Sequence, residues 1–452
     1  MNTNITRIIA TALTLLFIAP GVTRASAESQ PSDLPADRAA VECTPRGGWP
    51  HFFQKTKTGN AIRVAYLGGS ITAQAGWRVK SLDYFKRTYP VCAFAETNAA
   101  IGGTGSDLGV LRIEHDVFAP AAPDLLFVEF AVNDASAQPV EIIRAMEGIV
   151  RKTWKAFPGC DIGFVYTFTD QQLDELKNGR LNRSAATMEA VADHYGIPTI
   201  HLGLEAVRLE KEGKLVMKAP ETKVEKVSGD ELDQTYRLPL GDDGKIHFSN
   251  DGVHPYLNTG HQLYVEAIIR SLPLIQQASK TSKPHEPGPP LDAGNYEHSK
   301  MLAPDQATFQ GNWEKLPADD KVTKPFLMRA PSFWRADTNA SLSLKFRGSA
   351  VGIYDLLGPD GSRLEISVDG KVSYVNRIDG YCTYWRLAVA KAANNLDPAK
   401  VHEVTIRVLP ENLDKRAILF EKNQAFYDKN PGLYADNHWY VGAVFVVGEL
   451  VK

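Results

Sequence analysis

Cysteine is scarce in this chain. The four in 452 residues, Cys43, Cys92, Cys160 and Cys382, include no C-x-x-C pair, so neither a zinc ribbon nor a disulfide scaffold can be read from them, and one or two bridges stay open. An excess of positive charge is missing too. Fifty Lys and Arg face 53 Asp and Glu, a net charge of -3, which leaves nothing to neutralise phosphates and excludes nucleic acid as the expected partner. Beyond the first twenty residues no apolar run approaches the roughly 20 residues that span a bilayer. No internal repeat relates the two halves. What is present is globular usage, 44% hydrophobic and 23% charged, in a chain long enough for two or three domains.

The N-terminus places a lone Arg7 before an apolar run from Ile8 to about Pro20 and closes on Ala25-Ser26-Ala27, a small-x-small pattern. This predicts a secretory signal peptide over residues 1–27, cut after Ala27. The run is short for a membrane anchor, and no cysteine follows closely to carry a lipid. The mature chain is expected to be secreted or periplasmic, without a membrane span, where disulfides are permitted.

From Arg63 onward short apolar runs alternate with amphipathic stretches, the pattern of a parallel sheet covered by helices. Strands are predicted over 63–68, 91–97, 125–131, 162–168 and 197–202. Helices are predicted where Ile142, Ile143, Met146, Ile149 and Val150 recur, and again at Leu263, Ala267 and Ile268. Five strands with crossover helices give a flavodoxin-like three-layer α/β/α sandwich over residues 28–278. The stretch 205–250 is too long for an ordinary connection and is expected to form a hairpin excursion or a flap near the site. Residues 279–290, SKTSKPHEPGPP, read as a linker without a packed element. Beyond it the period changes to two at Leu342, Leu344 and Phe346, at Leu364, Ile366 and Val368, and at Val404, Ile406 and Val408. With turns at GPDGS and VDGK, residues 291–452 are expected to form an all-β, jelly-roll-like sandwich.

Ser70 ends the first predicted strand in YLGGSIT, and ligands of open α/β sheets sit at strand carboxyl ends. Taken alone, Gly-Gly-Ser serves equally as a phosphate-cradling loop or a simple turn. NAAIGGTGS follows the second strand, where Gly103 offers an unhindered backbone N–H to an oxyanion. Asn133 in FAVND follows the third, its amide a second donor or, more plainly, a helix cap. In DGVHP, Asp251 three residues before His254 can hold one imidazole nitrogen and leave the other to take a proton from a serine. The same pair can be read as a capped turn or as two metal ligands, although no H-x-H or H-E-x-x-H companion exists.

Together and in this order, Ser70, Gly103, Asn133 and His254 resemble the four blocks of the SGNH hydrolases, or GDSL-type esterases, over residues 63 to about 269. Asp251 matches that family's aspartate. The first block departs from the namesake pattern, reading GGS with Gly69 where GDS is usual. The resemblance implies that Ser70 is the nucleophile, His254 the base and then the acid, and Asp251 its orienting partner. It also implies an oxyanion hole from Ser70, Gly103 and Asn133, and no metal or organic cofactor. The all-β half resembles accessory modules of carbohydrate esterases and carries Trp313, Trp334, Trp385 and Trp439, rings that stack on sugars or simply fill a core. The expectation is a secreted serine esterase removing O-acetyl groups from a polysaccharide, its second domain engaging polymer and not the chemical step. A lipase or arylesterase, or a carbohydrate-binding surface protein with an inactive hydrolase domain, are the alternatives.

Overall fold

The structure, a computed structural model, describes residues 38–222, 237–280, 282–330 and 332–451. The predicted signal peptide lies outside the described residues, as does 223–236 within the stretch expected to form a hairpin or flap.

The first half runs β1 (Cys43–Thr44), α1 (Pro50–Thr58), β2 (Ile62–Gly68), α2 (Ser70–Ala73), α3 (Trp77–Thr88), β3 (Phe94–Asn98), α4 (Ser106–Ile113), β4 (Leu125–Glu129) and α5 (Pro139–Ala156). It continues with β5 (Asp161–Tyr166), α6 (Leu173–Lys177), α7 (Arg183–Tyr195), β6 (Thr199–His201), α8 (Leu204–Lys211), β7 (Leu215–Lys218), β8 (Ile246–Ser249) and α9 (Gly260–Ala278). The main sheet has the order β1-β6-β5-β4-β2-β3, parallel from β2 to β6, with β1 antiparallel at the edge. Successive strand side chains point to opposite faces. Val64, Tyr66, Leu125 and Phe127 therefore pack with Phe52, Trp77, Phe85 and Tyr264 on one side. Ala65, Leu67, Leu126 and Val128 pack with Ile142, Met146, Ile149 and Val191 on the other. The helical spacing at Ile142 to Val150 is the buried face of α5. Among the described residues no helix is long and apolar enough to cross a membrane.

Two expectations are corrected. The 205–250 stretch does not close as a hairpin, because β7 and β8 pair in parallel, Leu215 opposite Ile246 and Lys218 opposite Ser249. Residues 283–298, though lacking helix or strand before Tyr296, are docked onto the α/β half. His285 stacks on Trp154 at 4.7 Å and meets Asp161 at 2.8 Å, Glu147 accepts the backbone N–H groups of Leu291 and Asp292, and Arg144 pairs with Asp292 at 3.0 Å. The four cysteines are unpaired.

The second half is an all-antiparallel sheet of ten strands. They are β9 (Ser299–Leu302), β10 (Thr308–Gln310), β11 (Trp313–Lys315), β12 (Trp334–Ala336), β13 (Ser341–Leu357), β14 (Arg363–Val368), β15 (Lys371–Asn376), β16 (Arg386–Ala393), β17 (Val401–Val408) and β18 (Trp439–Val451). The sheet folds about the 17-residue β13, which pairs with β10 and β17 in its first part and with β16 in its last, β18 running along its centre. A bulge between Gly348 and Ala350 shifts the register by one residue, so the inward positions change from Leu342, Leu344 and Phe346 to Val351 and Ile353. Of the four tryptophans, Trp439 is fully buried, Trp313 stacks on Phe309 at 4.1 Å, and Trp385 donates to Asp360.

The described residues form one compact unit, and the halves share apolar core. Tyr296 and Val447 belong to the cluster around Val110 and Ile149, and Leu108 to the cluster of Phe445 and Tyr354. Polar contacts cross the same seam, Lys391 to Asp107 and Lys152 to the Ser299 carbonyl among them. Each large apolar side chain uncovered forfeits about 1.5–3 kcal/mol, so three or four are comparable to the ~5–15 kcal/mol that holds a typical domain folded. A chain ending at Ser279 is therefore expected to lose its cooperative thermal transition by circular dichroism. A truncated chain melting within a few degrees of the full protein would contradict the shared core.

Candidate active site

Every residue singled out in the first half lies at the carboxyl edge of the sheet or in the turn beside it. Ser70 is the first residue of α2, immediately after β2, where helix N–H groups have no intrahelical partner. The loop after β3 keeps to β2 at first, Ala99 N–H donating to Tyr66 O and Ile101 N–H to Gly68 O, before it reaches Gly103. Gly103 has φ +72°, a left-handed conformation that favours glycine, and no atom lies within 4 Å of where a Cβ would stand. Asn133 follows β4 and lies against the Ser70 turn: a Cβ on Gly69 would fall 1.9 Å from the Asn133 Oδ1. Glycine at position 69 thus leaves the Asn133 amide its place beside the turn.

His254 and Asp251 come from the turn between β8 and α9. Asp251 Oδ1 accepts the backbone N–H groups of Val253 and His254 at 2.9 and 2.8 Å, and its Oδ2 lies 2.7 Å from His254 Nδ1. His254 Nε2 is 2.8 Å from Ser70 Oγ. Ser249 ties the turn to the parallel pair, its hydroxyl donating to Met217 O and accepting from Gly252 N–H. Partial burial opposes ionisation of Asp251, but hydrogen bonds from the His254 ring and from the two backbone N–H groups outweigh it and hold the carboxyl at about 2. The arrangement can pass a proton from the Ser70 hydroxyl to Nε2 while a carboxylate faces Nδ1.

Several supporting residues carry no signal that sequence reasoning used. Asp134, beside Asn133, accepts Ser106 N–H at 3.0 Å and so ties the end of β4 to the start of α4, just beyond Gly103. Burial pushes Asp134 up to about 7 against the hydrogen bonds from Ser106. Arg112 donates to Ala99 O and pairs with the buried Asp116 at 2.7 Å. Arg329, from the all-β half, reaches Asn98 O at 3.3 Å, Ala100 O at 3.4 Å and Asp116 at 3.4 Å. The second half therefore braces the loop that leads to Gly103. Among the described residues the one grouping with metal-ligand composition is His51, Asp161 and His285. Their facing atoms are already hydrogen-bonded, His285 with Asp161 and His51 with Lys283 O, both at 2.8 Å.

A parallel α/β/α sandwich with Ser, Gly, Asn and His in these four places is the architecture of an SGNH-type hydrolase domain. Residues 66–254 match the model of the GDSL-like lipase/acylhydrolase family, a match that supports a carboxylic ester hydrolase. No curated protein matches the sequence significantly. Two solved structures of a two-domain esterase (CEX) active on acetylated mannans align over 92% of this chain and 97% of theirs at 20% identity. The TM-scores are 0.62 for the one co-crystallized with mannopentaose and 0.63 for the other, a likeness of fold across both halves. An acetylxylan esterase from Geobacillus stearothermophilus aligns over 47% of this chain and 94% of its own, at 16% identity and a TM-score of 0.33.

The lowered Asp251 fixes the sign of a pH effect. A carboxyl whose folded value lies below its ordinary ~3.9 adds stability above that ordinary value and loses it as the pH falls through about 2. The melting temperature of Asp251→Asn should fall below that of the wild type at pH 5 to 7, the gap closing towards pH 2. A gap that stays constant over this range would assign Asp251 no such role.

Proposed function

We propose that the protein is an exported serine esterase that removes O-acetyl groups from a polysaccharide. The observation that carries the reading is the hydrogen-bonded series Ser70 Oγ, His254 Nε2, His254 Nδ1 and Asp251 Oδ2, with links of 2.8 and 2.7 Å. In this reading His254 takes the Ser70 proton as the oxygen attacks the acyl carbon, and Asp251 steadies the imidazolium. The N–H groups of Ser70 and Gly103 and the Asn133 amide receive the oxyanion. Collapse expels the sugar hydroxylate, which takes the proton from His254 and leaves an acetyl-enzyme. A water deprotonated by His254 then attacks the acetyl carbon, and the bond to Ser70 Oγ breaks as that oxygen takes the proton back from His254, releasing acetate.

The acetylated carbohydrate is supported by the likeness of both halves to the esterase active on acetylated mannans. The export step rests on residues 1–27, and the division into residues 28–278, a 279–290 linker and 291–452 remains a reading of the sequence. The all-β half also touches the frame of the site, Arg329 reaching the Asn98 and Ala100 carbonyls of the loop that leads to Gly103.

Acetate release from acetylated mannan, xylan and pectin tests the proposal. Release from at least one polymer is expected, with kcat down about 10⁴-fold or more in Ser70→Ala. Hydrolysis confined to long-chain acyl esters, or a Ser70→Ala enzyme of normal rate, would overturn it.

A further inference from the structure

The chain carries glycine at position 69, where the namesake motif has an aspartate, yet a carboxylate does lie under the nucleophile turn. It belongs to Glu129, the last residue of β4, which is 1% exposed. Glu129 Oε2 accepts the Thr72 hydroxyl at 2.8 Å and Oε1 the Thr167 hydroxyl at 2.7 Å, and the backbone N–H of Gly69 lies close enough to favour the ionised carboxylate. Gly69 precedes Ser70 and Thr72 follows it by two residues, so one group faces the turn on both sides of the serine. Thr167, just after β5, ties that group to the next strand.

We propose that Glu129 is a positioning residue for Ser70, holding the turn so that the Ser70 hydroxyl meets His254 Nε2. The inference rests on the esterase reading above. The donor set argues for a carboxylate in particular. Two hydroxyls and an N–H converge on it, an ionised carboxylate is acceptor-only, and an amide in its place turns an N–H₂ towards one of these donors. Burying a carboxylate is costly unless it is fully hydrogen-bonded, and here the three partners are neutral. Burial accordingly raises Glu129 above the usual carboxylate range, opposed by the hydrogen bonds from Thr167 and Thr72 and by the Gly69 N–H. The same turn sets the second donor: with the Gly69 backbone held, the space where its Cβ would stand is filled by Asn133. Glu129 thereby fixes the spacing between the serine and the amide proposed to receive the oxyanion.

The full-length protein tests this through Glu129→Gln and Thr72→Val, with Thr72→Ser as the conservative rescue. Steady-state hydrolysis of p-nitrophenyl acetate, the rate at which a fluorophosphonate labels Ser70, and the melting temperature are measured together. A misplacement near 1 Å at a reacting group can cost up to about a hundredfold. Both variants are expected to lose at least about tenfold in kcat and in labelling rate with KM little changed, and Thr72→Ser to restore most of both. A purely structural role would lower the melting temperature without this split. Folded variants with wild-type kcat and labelling would overturn the proposal, and Thr72→Val decides it in the same way if Glu129→Gln fails to fold. A wild-type protein left unlabelled at Ser70 would instead overturn the esterase reading itself.

Discussion

The close approach of two strand ends governs this site. β2 and β4 are neighbours, and the turns leaving them are so near that the Asn133 amide occupies the volume a side chain at position 69 would need. A side chain at position 69 would have to displace that amide, and glycine leaves it in place. With the space above the turn taken by Asn133, the acid that serves the turn comes from the neighbouring strand as Glu129. Ser70 is then presented at the carboxyl edge, where the Asp251–His254 turn meets it.

The five parallel strands β2 to β6 and the four blocks were legible because each has a local signature. Buried parallel strands are continuous apolar runs, and Ser70, Gly103, Asn133 and the Asp251–His254 pair sit at turns that punctuate them. Glu129 was not legible. In LLFVEFAV a single acid reads as one polar residue in a strand, and its meaning appears only when Thr72 and Thr167, 57 and 38 residues away, are seen to converge on it. Arg329 escaped for the same reason, since its partners Asn98 and Ala100 lie some 230 residues earlier. The full length of β13 was not legible, because a bulge at Gly348 to Ala350 inverts the alternation that period-two reasoning depends on. The parallel pairing of β7 with β8 has no local signature, because two short strands show their direction only in the fold.

The relation between the halves also differs from the beads-on-a-string picture that a proline-rich segment suggests. Proline and polar residues in 279–290 rule out helix and strand, but they do not rule out docking. His285 on Trp154 and the backbone of Leu291 and Asp292 on Glu147 bring the chain back onto α5 before the all-β half begins. That half then supplies apolar cover to α4 and α5 and a guanidinium to the loop before Gly103. The all-β half and the frame of the site are therefore not separable by a cut at the linker.

The central claim is that Ser70 is the group that attacks. Peptide mapping by mass spectrometry after treatment with a fluorophosphonate reads this directly. One adduct per chain is predicted on the peptide containing Ser70, greatly slowed when His254 is replaced by Gln. An adduct on another serine, or labelling of Ser70 that is indifferent to His254, would contradict the account.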